Sequence, residues 1–164
     1  MENIAVALKE LGTKNGFDIS LNEDGTCSLE LADGRTFILQ ERANLNELDF
    51  VATLGYVPEE VRADVFTELL SANFYWRTTL GATISWNASL EQVVIMYPFP
   101  LADATDGTLE NIFTRFLELQ AAWKDRLDEL IADAKNIAES KADEDEEDAD
   151  EEASAANDHL IINP

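Results

Sequence analysis

The chain has very few residues of the types that usually carry out chemistry. Its 164 residues include one cysteine, Cys27, and one histidine, His159. A single cysteine excludes an internal disulfide and favours a reducing compartment such as the cytoplasm. A single histidine excludes a histidine-based triad, and one residue of each type cannot build a Cys/His zinc site. No glycine-rich phosphate loop is present either, so we expect neither an enzyme nor a cofactor.

Basic residues are also scarce. Eleven Lys and Arg face 34 Asp and Glu, which gives a formal net charge of −23. Nucleic-acid binding needs clustered cations, so the composition excludes it as a direct activity and disfavours anionic membranes. No apolar run reaches about 18 residues, which predicts that no segment inserts into a membrane. Residues 1–12 have an acid at position 2, no basic cluster and no cleavage-like motif, which argues against a signal peptide. Two explanations of the negative charge remain: the protein binds a basic protein partner, or the charge only keeps the protein soluble.

The acidic residues are concentrated at the end of the sequence. Residues 139–164 contain eleven acids and one base, Lys141. Like charges at this density repel one another and leave little to bury. The sequence therefore predicts a folded domain over residues 1–138 and an acidic, disordered tail over residues 139–164.

Hydrophobic spacing predicts three helices and five strands. Asp33-Gly34 is typical of a tight hairpin turn, Pro58 suits the first residue of a helix, and Pro98 and Pro100 are expected to end the last strand. The resulting order, α-β-β-β-α-β-β-α, predicts an α+β domain with an antiparallel sheet. The expected ranges are helix 2–12, strands 27–31, 36–40 and 48–54, helix 58–73, strands 82–86 and 92–97, and a helix from about 106–108 to the late 130s.

The chain carries more large apolar residues than one core can hide. Phe74, Tyr75 and Trp76 follow one another directly after a predicted helix, and neighbouring residues point in different directions on any regular backbone. The run 93–97 is apolar on both faces of its strand, so one face needs a second cover. Exposed apolar surface of this kind indicates contact with another protein.

Several short motifs resemble those of one known family, the class I type III secretion chaperones, also called the Tir-chaperone-like (CesT) family. The likeness covers residues 2–132, and the order and spacing of the motifs carry it. The motifs are LNEDGTC at 21–27, LGYVP at 54–58, LLSAN at 69–73, GATI at 81–84, PFPL at 98–101 and the spacing from Phe116 to Trp123.

The resemblance implies a function as well as a fold. It implies a homodimer in the cytoplasm of a Gram-negative bacterium. The dimer would bind the N-terminal region of a secreted effector, hold it extended and partly unfolded, and so keep it competent for secretion and virulence. Such a protein needs no cofactor and is not an enzyme, and the secretion ATPase is a further candidate partner.

Two candidate sites follow from the resemblance and the apolar pattern. One is a dimer interface formed around the three successive aromatic residues. The alternative is that these rings cover the sheet of their own chain. The other is a groove, with an exposed strand edge, for the effector; the alternative is that helix 1 packs on the sheet as ordinary core. The predicted dimer interface comprises Val65, Leu69, Phe74, Tyr75, Trp76 and Trp86. The predicted effector groove comprises Ile4, Leu8, Leu11, Phe17 and Leu29.

A second function class also fits the charge. An acidic adaptor or regulator, acting as a charge mimic or anti-regulator, would bind a basic protein partner. Against this reading, a mimic of nucleic acid would array its acids rigidly, whereas here they collect in the tail. Salt sensitivity separates the two, because a charge mimic loses its partner steeply as salt rises. An enzyme that uses one perturbed carboxylate is a weaker alternative.

Overall fold

The computed structural model describes the backbone of residues 2–16, 18–31, 33–104 and 107–158, and the side chains of those residues from 5 to 141. Short 3-10 turns lie at Glu59–Val61, Phe74–Trp76 and Leu101–Asp103. The order of elements confirms the predicted α+β class. The main elements are α1 (Glu2–Asn15), β1 (Thr26–Glu30), β2 (Thr36–Arg42), β3 (Glu47–Gly55), α2 (Arg62–Ala72), β4 (Thr83–Asn87), β5 (Gln92–Pro100) and α3 (Thr108–Asp158).

The five strands form one antiparallel sheet in the order β1-β2-β3-β5-β4. The register places Leu39 opposite Phe50, which in turn lies opposite Tyr97. The pairing of β3 with β5 shifts between Thr53 and Gly55, which is a β-bulge. The apolar residues of each strand alternate, and one face of the sheet, called the inner face below, is buried.

Helix α3 covers the inner face. The ring of Phe113 lies 5.1 Å from that of Phe37, and the ring of Phe116 lies 5.7 Å from that of Phe50. Burying one such side chain contributes about 1.5–3 kcal/mol, so these contacts fix the helix to the centre of the sheet. The buried residues of α3 recur every three or four positions, as one face of a helix requires. They are Leu109, Phe113, Phe116, Gln120, Trp123, Leu127, Leu130 and Ala134.

One polar residue stands within this apolar stripe. Gln120 is only 1% exposed, and its Nε2 donates a hydrogen bond to the carbonyl oxygen of Thr53 at 3.2 Å. The bulge interrupts the pairing of β3 at this point and leaves that carbonyl in need of a donor. The amide therefore satisfies a buried backbone group while it docks α3 on β3.

The outer face of the sheet has no cover within the described part of the chain. Val93 and Ile95 of β5 are buried on the inner face, whereas Val94 and Met96 on the opposite face are partly exposed. Met96 lies opposite Val51 in the register of β3 and β5. The second cover that the sequence predicted for this strand is therefore not supplied by the domain itself.

The prediction that Pro98 and Pro100 end the last strand is wrong. Strand β5 includes both prolines and runs to Pro100. The reason lies in the pairing, because β4 reaches only as far as Met96 along β5. Beyond that residue β5 has a neighbour on one side only, and prolines are tolerated on such an edge.

Helices α1 and α3 are longer than predicted. Helix α1 reaches Asn15 instead of residue 12, and α3 reaches Asp158 instead of the late 130s. Over residues 139–158 the sequence predicted disorder, and the backbone is helical there instead. Alanine and glutamate are abundant in this stretch and are strong helix formers. The division of the chain into a domain and a tail stays a prediction, and residues 159–164 lie outside the described residues.

Candidate protein-binding site

The exposed apolar side chains of the described residues are concentrated in one short segment. Among eleven large hydrophobic residues that are exposed, five lie between positions 70 and 80. Phe74 is 73% exposed, Tyr75 74% and Trp76 53%. We call residues 70–80 the aromatic segment. A cluster of exposed apolar side chains is typical of protein-binding sites, which makes this segment the candidate site.

The backbone of the aromatic segment is strained. Tyr75, Trp76 and Leu80 have φ angles of 56°, 51° and 52°, in the left-handed region that bulky residues avoid. Each such residue costs about 1–2 kcal/mol. Strain of this size persists where the surrounding structure enforces it, and it collects at ligand-binding sites.

Polar contacts hold the aromatic segment against the domain while its rings stay outside. The indole Nε1 of Trp76 donates to Oγ1 of Thr83 on β4 at 3.2 Å. The indole Nε1 of Trp123 on α3 donates to the carbonyl oxygen of Thr78 at 3.4 Å. The segment is therefore presented in a fixed conformation.

An apolar cavity of about 280 Å³ opens beside the segment, between α2 and β4. On its wall the rings of Phe66 and Trp86 lie 5.0 Å apart. The guanidinium of Arg62 lies 5.0 Å from the centre of the Trp86 ring, in cation–π geometry. Exposed rings and an apolar cavity therefore occur side by side. The cavity is lined by Phe66, Leu69, Leu70, Ile84, Ser85, Trp86 and Val93.

The six residues of the predicted dimer interface differ in how exposed they are. Phe74, Tyr75 and Trp76 are exposed, and Trp86 is half-buried on the cavity wall. Val65 and Leu69 are buried in the chain's own core. Val65 is therefore removed from the predicted interface, because a side chain that α2 already turns into the core has almost no area to lose to a partner. Leu69 also lines the cavity, so its place at the interface stays a prediction.

The aromatic segment includes two exposed residues that the sequence prediction missed. Leu70 and Leu80 are 69% and 57% exposed. The signal for Leu70 was present, since it follows the buried Leu69 directly and successive residues of a helix are about 100° apart. Leu80 gave no periodic signal, because it lies in an irregular turn.

The predicted effector groove is not open in this structure. Leu8, Leu11 and Leu29 belong to the buried core, and α1 packs against α3. The assignment of these residues to the groove must be corrected, because the apolar face of α1 is already buried within the domain. Phe17 and the side chain of Ile4 lie outside the described residues.

The edge of β1 is the part of this region that stays accessible. Gly25 accepts a hydrogen bond from the N–H of Glu41 at 2.8 Å, and Leu31 donates one to Arg35 at 2.8 Å. The backbone N–H and carbonyl groups of the odd-numbered residues of β1 therefore bond to β2. Those of the even-numbered residues point away from β2, out of the edge of the sheet. Within the described part of the chain, the outward backbone groups of Ser28 and Glu30 have no hydrogen-bond partner. An extended peptide can pair with these groups.

The described residues offer no sign of metal chemistry or of a membrane span. They contain no group of three His, Cys, Asp or Glu side chains placed to hold a metal ion. No helix among them is long and apolar enough to cross a bilayer. Cys27 is buried in β1, as its place in an apolar alternation predicted.

Comparison with solved structures finds the same fold in several complexes. A chain of the ExsC–ExsE complex is 19% identical with a TM-score of 0.64, and the match covers 79% of this chain and 94% of that one. A chain of the ExoU–SpcU complex from the type III secretion system of Pseudomonas aeruginosa is 20% identical, with a TM-score of 0.58 and coverages of 78% and 97%. A chain of the HopA1–SchA chaperone–effector complex is 16% identical, with a TM-score of 0.55 and coverages of 76% and 97%.

A search of curated protein sequences gives no match. The sequence profile of the Tir chaperone protein (CesT) family, in contrast, matches residues 6–124. The match covers most of the chain and all of its strands. It confirms the resemblance carried by the sequence motifs, and the chain belongs to the Tir chaperone protein (CesT) family.

Proposed function

We propose that the protein is a chaperone for a secreted type III effector. It binds the N-terminal region of that effector and keeps it partly unfolded until secretion. The match of the CesT family over residues 6–124 carries this proposal. The complexes with the same fold support it, since one of them is a chaperone–effector complex. The protein acts by binding rather than catalysis, in the bacterial cytoplasm, and the secretion ATPase is a candidate for receiving the loaded complex.

The first partner is a second copy of the chain. In a two-fold dimer the same surface is used by both copies, so the rings of each aromatic segment can cover the apolar cavity of the other. Burying one large side chain contributes about 1.5–3 kcal/mol. The exposed rings of Phe74, Tyr75 and Trp76 from both copies would together contribute to this association.

Replacing Trp76 by glutamate tests this assignment. The variant should shift the dimer towards monomer at micromolar concentration, measured by light scattering, because a charge would be placed in an apolar interface. Leu90→Glu is the matched control, since Leu90 is 59% exposed and lies outside the aromatic segment. A Trp76→Glu protein that keeps the dimer mass, with Leu90→Glu behaving alike, removes the aromatic segment from the interface.

The second partner is the effector, and its site includes the open edge of β1. An extended effector segment would bond to the backbone of Ser28 and Glu30. Ordering such a segment costs about 1–2 kcal/mol per residue, so its side chains must also bury apolar area. A basic residue opposite Glu30 would be favoured, and the net charge of −23 speeds the approach of a basic segment at low salt.

The effector site can be tested with a proline on the edge. Ser28→Pro removes the outward N–H of β1 and should weaken effector binding, whereas Ser28→Ala keeps that N–H and should bind normally. The effector is first recovered by co-purification from the native bacterium and identified by mass spectrometry. Export of the recovered protein, and binding of its N-terminal region alone, are the expected results. Equal binding by both Ser28 variants would place the site elsewhere.

An acidic regulator that binds a basic partner is the second candidate function. The net charge of −23 favours it, together with a helix that carries most of its acids beyond residue 138. Raising the salt from about 50 to 200 mM separates the candidates, because the screening length shortens over this range. A partner lost steeply over that range indicates the regulator, and a partner retained indicates apolar binding.

A further inference from the structure

The two edges of the sheet are not equally available to another strand. At the β4 edge, the side chain of Asn73 makes both hydrogen bonds that a neighbouring strand would make. Its Nδ2 donates to the carbonyl oxygen of Ile84 at 2.9 Å, and its Oδ1 accepts from the N–H of Ile84 at 2.9 Å. The amide of Asn73 thus takes the place of the backbone of an added strand.

Other groups close the β4 side of the sheet around Asn73. The N–H of Ala82 is bonded to the carbonyl oxygen of Thr79 at 2.9 Å. The backbone N–H and carbonyl of Ile84 point away from β5, so those of its partner Ile95 point towards β3. Because the direction alternates along a strand, the residues on either side of Ile95, and every second residue beyond them, direct their backbone groups towards the β4 side. Pro98 and Pro100 therefore lie on that side beyond the end of β4 and offer no N–H.

A single unpaired position remains on this edge. Within the described residues, Trp86 is the outward-facing residue of β4 whose backbone N–H and carbonyl have no partner. Strand addition needs outward residues at alternate positions in succession, and Ile84 is the neighbour that would complete the pair. On β1 such a pair exists, because Ser28 and Glu30 are both open.

We propose that Asn73 guards the β4 edge against pairing with a strand of a second copy of the chain, so that the sheet can be extended at β1 only. An unguarded β4 edge would lie beside the exposed rings of the aromatic segment. Apolar contact there would then bring two β4 edges together and join the copies through a second contact. This role does not depend on the identity of the effector, and its test uses the chain alone.

Hydrogen exchange and oligomeric mass together test the proposed role of Asn73 at the β4 edge. In the wild-type protein the amide of Ile84 should exchange much more slowly than those of Ser28 and Glu30. In Asn73→Ala the amide of Ile84 should exchange faster at low concentration, where the copies are not yet associated, and the mass from light scattering should at least double with rising concentration. Ser71→Ala is the matched control, because Ser71 bonds within α2 and not to the edge.

A second pair of variants separates the edge from the apolar surface around it. Asn73→Ala with Trp86→Pro lacks the other outward N–H of β4 and should return to the mass of Trp86→Ala alone, which is the reference because Trp86 also lines the cavity of the proposed dimer. Asn73→Ala with Trp86→Ala loses the ring but keeps the N–H and should stay large. Asn73→Ala that is less stable but unchanged in mass would overturn the proposal, and so would equal masses for the two double variants.

Discussion

The turn between β4 and β5 provides a stability test in which two neighbouring substitutions should have opposite signs. Glu91 has a φ angle of 51°, in the left-handed region, whereas Ser89 has no positive φ. Glu91 forms one ion pair, with Arg62 at 3.8 Å, and its side chain is 68% exposed. Replacing Glu91 by glycine therefore removes strain and little else.

The expected gain follows from three contributions. Leaving the left-handed region relieves about 1–2 kcal/mol, and the greater freedom of glycine in the unfolded chain takes back about 0.5–1 kcal/mol. The long, exposed ion pair is worth at most a few tenths of a kcal/mol. We expect Glu91→Gly to stabilise the fold by about 0.5 kcal/mol, which raises the Tm by about 1–2 °C in a chain of this size.

Urea unfolding followed by circular dichroism measures the change in free energy of unfolding. Ser89→Gly should lower the stability by about 0.5–1 kcal/mol, because it gains the freedom of glycine without relieving strain. Glu91→Asn should also stabilise, since asparagine tolerates the left-handed region. Equal losses for Glu91→Gly and Ser89→Gly would refute the reasoning.

Three further predictions concern other parts of the domain. Arg42→Met should lower the free energy of unfolding in urea by about 2 kcal/mol. The reason is that the side chain of Asp49 is only 7% exposed and is bound by two nitrogens of the Arg42 guanidinium, which the substitution removes. Arg42→Lys should recover part of the loss. Gly81→Ala should lower the Tm by several degrees, since Gly81 has a φ of 94° and an added Cβ would lie 3.2 Å from Cε2 of Tyr97; an unchanged melting curve would contradict this. The backbone N–H of Arg35, followed by its side chain, holds the pKa of Asp33 below its ordinary value of 3.8. Asp33 therefore stabilises the fold above the unfolded-state pKa and loses this effect as the pH falls through the folded-state value. Carboxyl NMR titration should give the lowered midpoint, and Asp33→Asn should make the stability curve slightly less steep on its acid side.

The alternation of apolar residues was enough to predict the sheet and its place in the chain. Leu48, Phe50, Ala52 and Leu54 alternate with less buried positions in β3, as half-buried strands do. What the pattern could not reveal was pairing. Pro98 was assigned to a strand end because proline breaks a ladder, and only the short reach of β4 makes it acceptable inside β5.

The candidate sites were predicted less well, because the sequence does not show which apolar face a domain keeps for itself. Leu8 and Leu11 have the spacing of a binding stripe and also that of a core stripe, and the structure places them in the core. Gln120 was passed over because a polar residue interrupts an apolar period, although it serves a bulge on a strand far away in the sequence. Phe74, Tyr75 and Trp76 were predicted to lie at a dimer interface, with one ring turned inward and the others covered by a second copy, whereas all three are exposed in the single chain.

The three tryptophans occupy three different environments. Trp123 is buried, Trp86 is half-buried on the cavity wall, and Trp76 is 53% exposed in the aromatic segment. The chain thus contains its own fluorescent reporters, and no dye is needed to watch it bind. Keeping one indole at a time would distinguish docking at the rings, filling of the cavity and loosening of the core by the colour of the emitted light.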